Sequence, residues 1–294
     1  MVSEHASPLL RRARLATELR RLREGARMTG QHVAIRLGWS TAKLSRLETG
    51  QTMPHPRDVQ ALLTCYETAP ELAAPLLALA DDSARLAWWH PFESELGPDY
   101  ITYIGMEAEA KSMCTWHPTL VPGILQTAAY ARAVIGSHWE GSSTSQWVER
   151  RVGVRLRRQA VLHRPSPLAL SAVIDESVLL RRYGDDALMY DQLLHLARLS
   201  ELDHIDLRIL PQTEPAACVP YVIMDFPAWD VLGPLHDDVV HIETLHGSAI
   251  ETDEWIVLQY SKDFRRLHQH VLSPAESHAL IRRTAELYRQ KAHG

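Results

Sequence analysis

Cysteine is scarce in this chain: Cys65, Cys114 and Cys218 are the only three in 294 residues. They are odd in number and far apart, which argues against a disulfide framework or a CxxC metal motif and fits a reducing cytoplasm. No apolar run approaches the ~20 residues that a bilayer-spanning helix needs, so no membrane association is expected. The opening residues, MVSEHASPLLRR, lack the apolar core of a signal segment. HExxH, GxSxG, P-loop and GxGxxG patterns are also missing, and no internal repeat appears. The expectation is a cytoplasmic protein with no cofactor, no bound metal and no catalytic residues.

What is present is a globular composition, 46% hydrophobic and 23% charged, long enough for about two domains. The net charge of −5 hides an asymmetry. Residues 1–57 carry 11 Lys/Arg against 4 Asp/Glu, or +7, and the remainder carries 20 against 32, or −12. A basic head on an acidic body suits a polyanionic partner for the head alone. The plain alternative is a solvated charged face.

The chain is organised around MTGQHVAIRLGWSTAKLSRLETG, residues 28–50. This stretch reads as a helix, a tight turn and a second helix. Thr29 is placed to cap the first helix, its hydroxyl taking an orphan backbone N–H. Val33, Ala34 and Leu37 then share one face. Gly38 suits the left-handed residue at a helix end. Ser40 is placed to cap the second helix, Leu44 and Leu47 form its apolar face, and Gly50 ends it. Ala34, Gly38 and Leu44 supply a small residue where two helices cross, a glycine at the turn and a large aliphatic in the angle between them. With Val33, Leu37, Trp39 and Leu47 they make the helix-turn-helix signature, whose second helix enters the major groove of double-stranded DNA. An ordinary helical hairpin is the alternative, and the basic charge of the head favours the nucleic-acid reading.

Around this unit, residues 1–10 read as frayed. Leu15, Leu19, Leu22 and Ala26 mark an amphipathic helix with Arg20, Arg21, Arg23 and Arg27 on its polar side. Pro56 opens a fourth helix carrying Val59, Leu62, Leu63 and Tyr66, and Leu72 to Ala80 form a fifth. From Leu19-Arg20-Arg21-Leu22-Arg23 to Leu44-Ser45-Arg46-Leu47-Glu48-Thr49-Gly50 this head resembles the Xre/Cro family of phage-repressor-type DNA-binding domains. Gly30 stands where that family usually has Gln, and Gln31 follows one place later. The resemblance implies a transcriptional regulator of the repressor type. Its register makes Thr41, Ala42 and Arg46 the base-reading positions, with Arg46 suited to guanine. Lys43 and Gln31 are expected on phosphate, so the candidate DNA-binding set is Gln31, Ser40, Thr41, Ala42, Lys43, Ser45 and Arg46. One short helix reads few base pairs. A homodimer placing two such helices ~34–36 Å apart is therefore expected, in a cytoplasmic, nucleoid-associated protein.

Residues 1–80 are thus expected as the DNA-binding domain, 81–103 as a Trp- and Tyr-rich linker, and 104–294 as an α+β regulatory, partner-binding and dimerisation domain. IGMEAEAKSM, residues 104–113, reads as one helix. Another is expected from near Gly123, and a long one from Gln146 to His163 carries Arg150, Arg151, Arg155, Arg157 and Arg158. Those arginines read as a solvated face crossed by salt bridges, or else as a second contact for DNA or an acidic partner. Strands are expected at 168–175, 205–211, 219–227 and 239–245, with short turns around Gly233-Pro234 and Gly247-Ser248. Helices are expected near 185–201, 252–270 and 274–290, which makes the whole mainly α with an α+β second domain.

Trp88-Trp89-His90, Glu107-Ala108-Glu109-Ala110, VPGILQT at 121–127, Tyr130-Ala131-Arg132-Ala133-Val134, Asp175-Glu176, Ile209-Leu210-Pro211 and Leu272-Ser273-Pro274 are similar to an uncharacterised C-terminal domain. It follows Xre-type heads in regulators of filamentous, sporulating bacteria. That resemblance implies a small partner protein encoded nearby and supplies no catalytic mechanism. His236, His241 and His246 repeat by five and His268 and His270 by two, without the pattern of a zinc site. Asp175, Glu176 and Glu243 read as caps or ion-pair partners, with acid/base chemistry the alternative. An enzyme of unknown activity carrying an autoregulatory head is the competing view of the whole chain.

Overall fold

The computed structural model describes residues 7–52, 54–83, 87–93, 95–138, 144–229, 232–234, 237–244 and 247–293. Five helices come first: α1 (Pro8–Gly25), α2 (Gly30–Leu37), α3 (Thr41–Glu48), α4 (Pro56–Cys65) and α5 (Pro70–Ser83). A 3-10 turn at His90–Phe92, α6 (Pro98–Glu109), β1 (Ser112–His117), a 3-10 turn at Gly123–Leu125, α7 (Ala128–His138) and α8 (Ser145–Arg158) follow. Then come a 3-10 turn at Gln159–Leu162, β2 (Ala169–Asp175), α9 (Glu176–Leu180), α10 (Asp186–Leu199), β3 (Ile205–Leu210) and β4 (Tyr221–Asp225). The short strands β5 (Ala228–Trp229) and β6 (Gly233–Pro234) precede β7 (Val239–Thr244), β8 (Gly247–Glu251), α11 (Glu254–Leu267) and α12 (Pro274–His293). The fold is mainly helical, with a helix-turn-helix head and one small mixed sheet, as expected from the hydrophobic pattern.

Contacts divide the chain into two compact units. The first joins Met1–Ser94 to Ile101–Glu109 and Phe226–Asp237, and the second holds Glu95–Tyr100, Ala110–Asp225 and Asp238–Gly294. In the first unit, Leu15, Leu19, Val33, Ala34, Leu44, Leu47, Val59, Leu62, Leu63, Leu76 and Leu79 are buried together. Ser7 caps α1, its Oγ accepting from Leu10 N at 3.4 Å. Glu109 accepts from Ser7 N at 2.6 Å and from the Arg11 guanidinium at 2.8 and 3.3 Å. The start of α1 is therefore pinned by a buried ion pair, not frayed over 7–10; residues 1–6 lie outside the described residues. Trp89, expected in a linker, is buried within the same unit.

The second unit is built on a six-stranded sheet of order β3-β2-β1-β4-β7-β8. β1, β2 and β3 run parallel, and β4, β7 and β8 are antiparallel to their neighbours. Two of these strands depart from expectation. The helix read over 104–113 stops at Glu109, and Ser112–His117 forms the central strand β1. A central strand buried on both faces lacks the clean alternation that marks a half-exposed one. Around the expected turns, Gly247 and Ser248 open β8 of this sheet and Gly233-Pro234 forms β6, paired with β5 in a separate two-stranded sheet; residues 230–231 and 245–246 between the paired strands lie outside the described residues. On one face, Trp116, Val173, Tyr221, Ile223 and Val240 pack against Val257, Phe264 and Leu267 of α11. α10 and α12 pack together, and α12 also lies against β3. Among the described residues, no helix is long and apolar enough to cross a membrane.

Candidate nucleic-acid interface

The local chemistry of residues 28–50 sets the angle between α2 and α3. Thr29 Oγ1 accepts from His32 N at 3.2 Å, and Ser40 Oγ accepts from Lys43 N at 3.2 Å, so each helix starts on its own hydroxyl cap. Gly38 takes φ +67° at the C-terminus of α2, in the left-handed region that favours glycine. With the turn fixed, Val33 and Ala34 of α2 and Leu44 and Leu47 of α3 go inward. What remains outward on α3 is Thr41, Ala42, Ser45 and Arg46, all exposed, with Ser40 exposed at the cap and Gln31 exposed on α2. Gln31, Thr41 and Ser45 line one open cleft of about 320 Å³ together with Arg20.

Lys43 is placed differently from the others. Its Nζ lies 2.8 Å from Asp58 Oδ1 of α4 and 3.8 Å from the centroid of the Trp39 ring. A phosphate contact from Lys43 therefore requires it to exchange a carboxylate for a phosphate, whereas Arg46 and Gln31 need no such exchange.

Behind the exposed face lies a pair that the sequence pattern did not single out. Arg23 Nε and Nη2 donate to Glu48 Oε1 and Oε2 at 2.7 and 3.0 Å, and Arg23 Nη1 donates to Met28 O at 2.9 Å. The bond to Glu48 raises the Arg23 pKa further above its ordinary value. The pair ties α1 to the last turn of α3 and to the residue before Thr29. Twenty-five positions separate the partners, so helical periodicity gave no signal for them; a Glu in the last turn of α3 beside an Arg-rich first helix is the hint that the sequence holds.

In the second unit the α8 arginines depart from the solvated-face reading. Arg158 is buried, Arg151 and Arg155 are half-buried, and Arg157 is exposed. Arg150 Nη1 pairs with Glu95 at 2.8 Å. Ser171 Oγ, at 3.4 Å, and Asp206 Oδ2, at 3.0 Å, both approach the same nitrogen of His268, Nε2. A nucleophile–base–acid relay needs the two groups on opposite ring nitrogens, so this trio is a hydrogen-bonded cluster and does not have the geometry of a relay. Burial pushes the Cys114 thiol up to about 11, away from thiolate reactivity. Asp175 caps α9, accepting from Ser177 N at 2.9 Å, and Glu176 accepts from Gln212 N at 3.2 Å. His270 pairs with Glu214 at 2.9 Å. His236 and His246 lie outside the described residues, among which no three His, Cys, Asp or Glu side chains gather as metal ligands.

Comparison with known proteins finds two family matches. Residues 14–76 match a helix-turn-helix domain family, and residues 100–283 match a domain of unknown function, DUF5753. No curated protein and no solved structure matches the chain.

Proposed function

The chain belongs to the DUF5753 family, and on that premise we propose that it is a sequence-specific DNA-binding transcriptional regulator whose second unit receives a small partner protein. The observation that carries the first half is α3 itself. One capped helix buries Leu44 and Leu47 and leaves Thr41, Ala42, Ser45 and Arg46 on its open side, the arrangement a major-groove reader needs. Arg46 reads guanine, and Gln31 sits beside the reading residues to hold phosphate. The head is of the Xre/Cro type and acts as a homodimeric repressor in the cytoplasm, bound to the nucleoid. The second unit is a receiver rather than an enzyme: the geometry at His268 and the raised Cys114 pKa support that reading. A partner acts by binding the DNA-competent and incompetent states differently, with a coupling of about 1–3 kcal/mol.

The test is selection of binding sites from random duplexes by the wild type and by Arg46→Ala. The variant is expected to lose about 1–3 kcal/mol of affinity and to relax preference at one base position. Unchanged preference refutes the assignment of Arg46. A palindromic consensus together with a sedimenting species of twice 33.3 kDa supports the dimer; a 33.3 kDa species on a non-palindromic site removes it.

A further inference from the structure

The two edges of the sheet in the second unit are finished differently. β3 lies at one edge, and the segment leading into α12 closes it: Leu272 N donates to Ile209 O at 2.9 Å, and Ile209 N donates to Ser277 Oγ at 3.1 Å. Arg208 Nη1 donates to Leu272 O at 3.2 Å and holds that segment in place. β8 lies at the other edge and pairs with β7 alone. Among the described residues, none outside β7 hydrogen-bonds to the backbone of Gly247–Glu251. A strand paired on one side leaves alternate N–H and C=O groups pointing outward. Ser248, Ala249, Ile250 and Glu251 are half-buried, so the strand is reachable from solvent.

Edge strands are ordinarily blunted by Lys, Pro, a bulge or a cover. Gly247–Glu251 contains no Lys and no Pro, and its pairing runs unbroken from Thr244 opposite Gly247 to Val240 opposite Glu251. It therefore keeps the regular geometry that an added strand needs. Main-chain pairing of an extended segment with such an edge supplies affinity without a deep pocket.

Charge decides which occupant fits. From Asp237 to Ser261 the chain holds Asp237, Asp238, Glu243, Glu251, Asp253 and Glu254, and no Lys or Arg. Glu243, Asp253 and Glu254 are exposed, and among the described residues no basic side chain pairs with them or with Glu251. Glu251 lies opposite Val240, which packs with Val257 and Phe264 of α11, so Glu251 stands on the α11 side of the sheet. Trp255 and Leu258 follow three apart in the first turns of α11 and are 68% and 44% exposed, leaving an aromatic and an aliphatic side chain of the kind that interfaces cover. A second copy of the chain would set the same uncompensated acids against these. A basic segment neutralises them.

We propose that β8 is the docking edge of the second unit, and that an extended, Lys- or Arg-bearing segment of a partner protein adds to it as a seventh strand. This rests on the reading of the second unit as a receiver, and it names the surface that receives and the chemistry of what is received. The backbone of β8 supplies the pairing, and Glu251, Asp253 and Glu254 select a basic segment over an acidic one.

The experiment is hydrogen exchange of the full chain, read over Gly247–Glu251, with a synthetic peptide of alternating Lys and Val as the probe and one of alternating Glu and Val as the control. The basic peptide is expected to slow exchange of the β8 amides in a saturable way, more weakly as salt is raised, and the acidic peptide to leave it unchanged. Glu251→Lys combined with Glu254→Lys is expected to weaken the basic peptide about 10-fold; if that variant does not fold, Glu251→Gln combined with Glu254→Gln is expected to weaken it about 3-fold. Unchanged β8 exchange, equal protection by the acidic peptide, or undiminished binding in a folded variant overturns the proposal. So does β8 protection that rises with chain concentration and no peptide, because the edge then pairs with a second copy. Retention of proteins from a native lysate separates this site from the receiver reading. A species held by the wild type and lost by the variant supports both, and one held equally by both chains keeps the receiver and overturns the β8 site. If neither chain holds any species, the receiver reading falls and the docking edge with it.

Discussion

Replacing Glu48 by Ala tests whether the head is held in shape from behind its reading face. The side chains of Arg23 and Glu48 are 14% and 9% exposed, and they meet through two hydrogen bonds of 2.7 and 3.0 Å. Glu48→Ala removes both acceptors and leaves a nearly buried guanidinium with the Met28 carbonyl at 2.9 Å. Breaking a buried pair from one side costs about 3–5 kcal/mol, and a charge-assisted hydrogen bond contributes about 1.5–3 kcal/mol. The retained carbonyl and the residual solvent access of Arg23 moderate the loss, so about 2–4 kcal/mol is expected. The chain holds two units and need not unfold in one step, so native-state hydrogen exchange over α2 and α3 of the full chain is the suitable assay. A double-mutant cycle with Arg23→Ala isolates the pair, and a coupling near 2 kcal/mol is expected. A coupling below about 0.5 kcal/mol, the range of exposed pairs, refutes the reasoning.

Two further outcomes follow from backbone and titration. Gly38→Ala is expected to destabilise the head by roughly 1–2 kcal/mol, because φ is +67° and no neighbouring atom lies within 4 Å to add a steric term. Gly38→Asn should recover part of that loss, and equal melting of all three proteins counts against it. His117 and His241 are lowered from 6.5 to about 4 in the folded protein. Between those values the unfolded chain takes up protons that the folded one refuses, so stability falls as pH drops from 6.5 to about 4. The slope is up to about 1.4 kcal/mol per pH unit for each histidine. Thermal unfolding across that window should show the fall, with His241→Gln flattening it; a wild-type profile already flat would contradict it.

The helix-turn-helix head was legible because its determinants are local. Hydroxyl caps act within three residues, a left-handed glycine acts on its own dihedral angle, and apolar spacing along α2 and α3 decides which side turns in. Position of the candidate reading residues follows from those rules together with the family register. The strands at β2, β3, β4 and β7 were legible for a similar reason, each being a short β-branched run bounded by turn residues.

β1 and the fate of the α8 arginines were not legible. Ser112 and Met113 look like the tail of an Ala- and Glu-rich helix, and only pairing on both edges, with β2 and β4, makes Ser112–His117 the centre of the sheet. Helical spacing puts Arg151, Arg155 and Arg158 on one face and Arg157 off it, but nothing in the sequence says that a face of three arginines turns inward until α8 is laid against the segment holding Gly123 and Gln126. The same holds for Glu109, whose partners Ser7 and Arg11 are 102 and 98 positions away. By itself, then, the sequence determined the elements whose hydrogen bonds and apolar contacts close within a few turns of chain. The tertiary structure alone decided which charges are buried and what they meet, because burial and Coulomb energy depend on distance in space, which separation along the chain does not set.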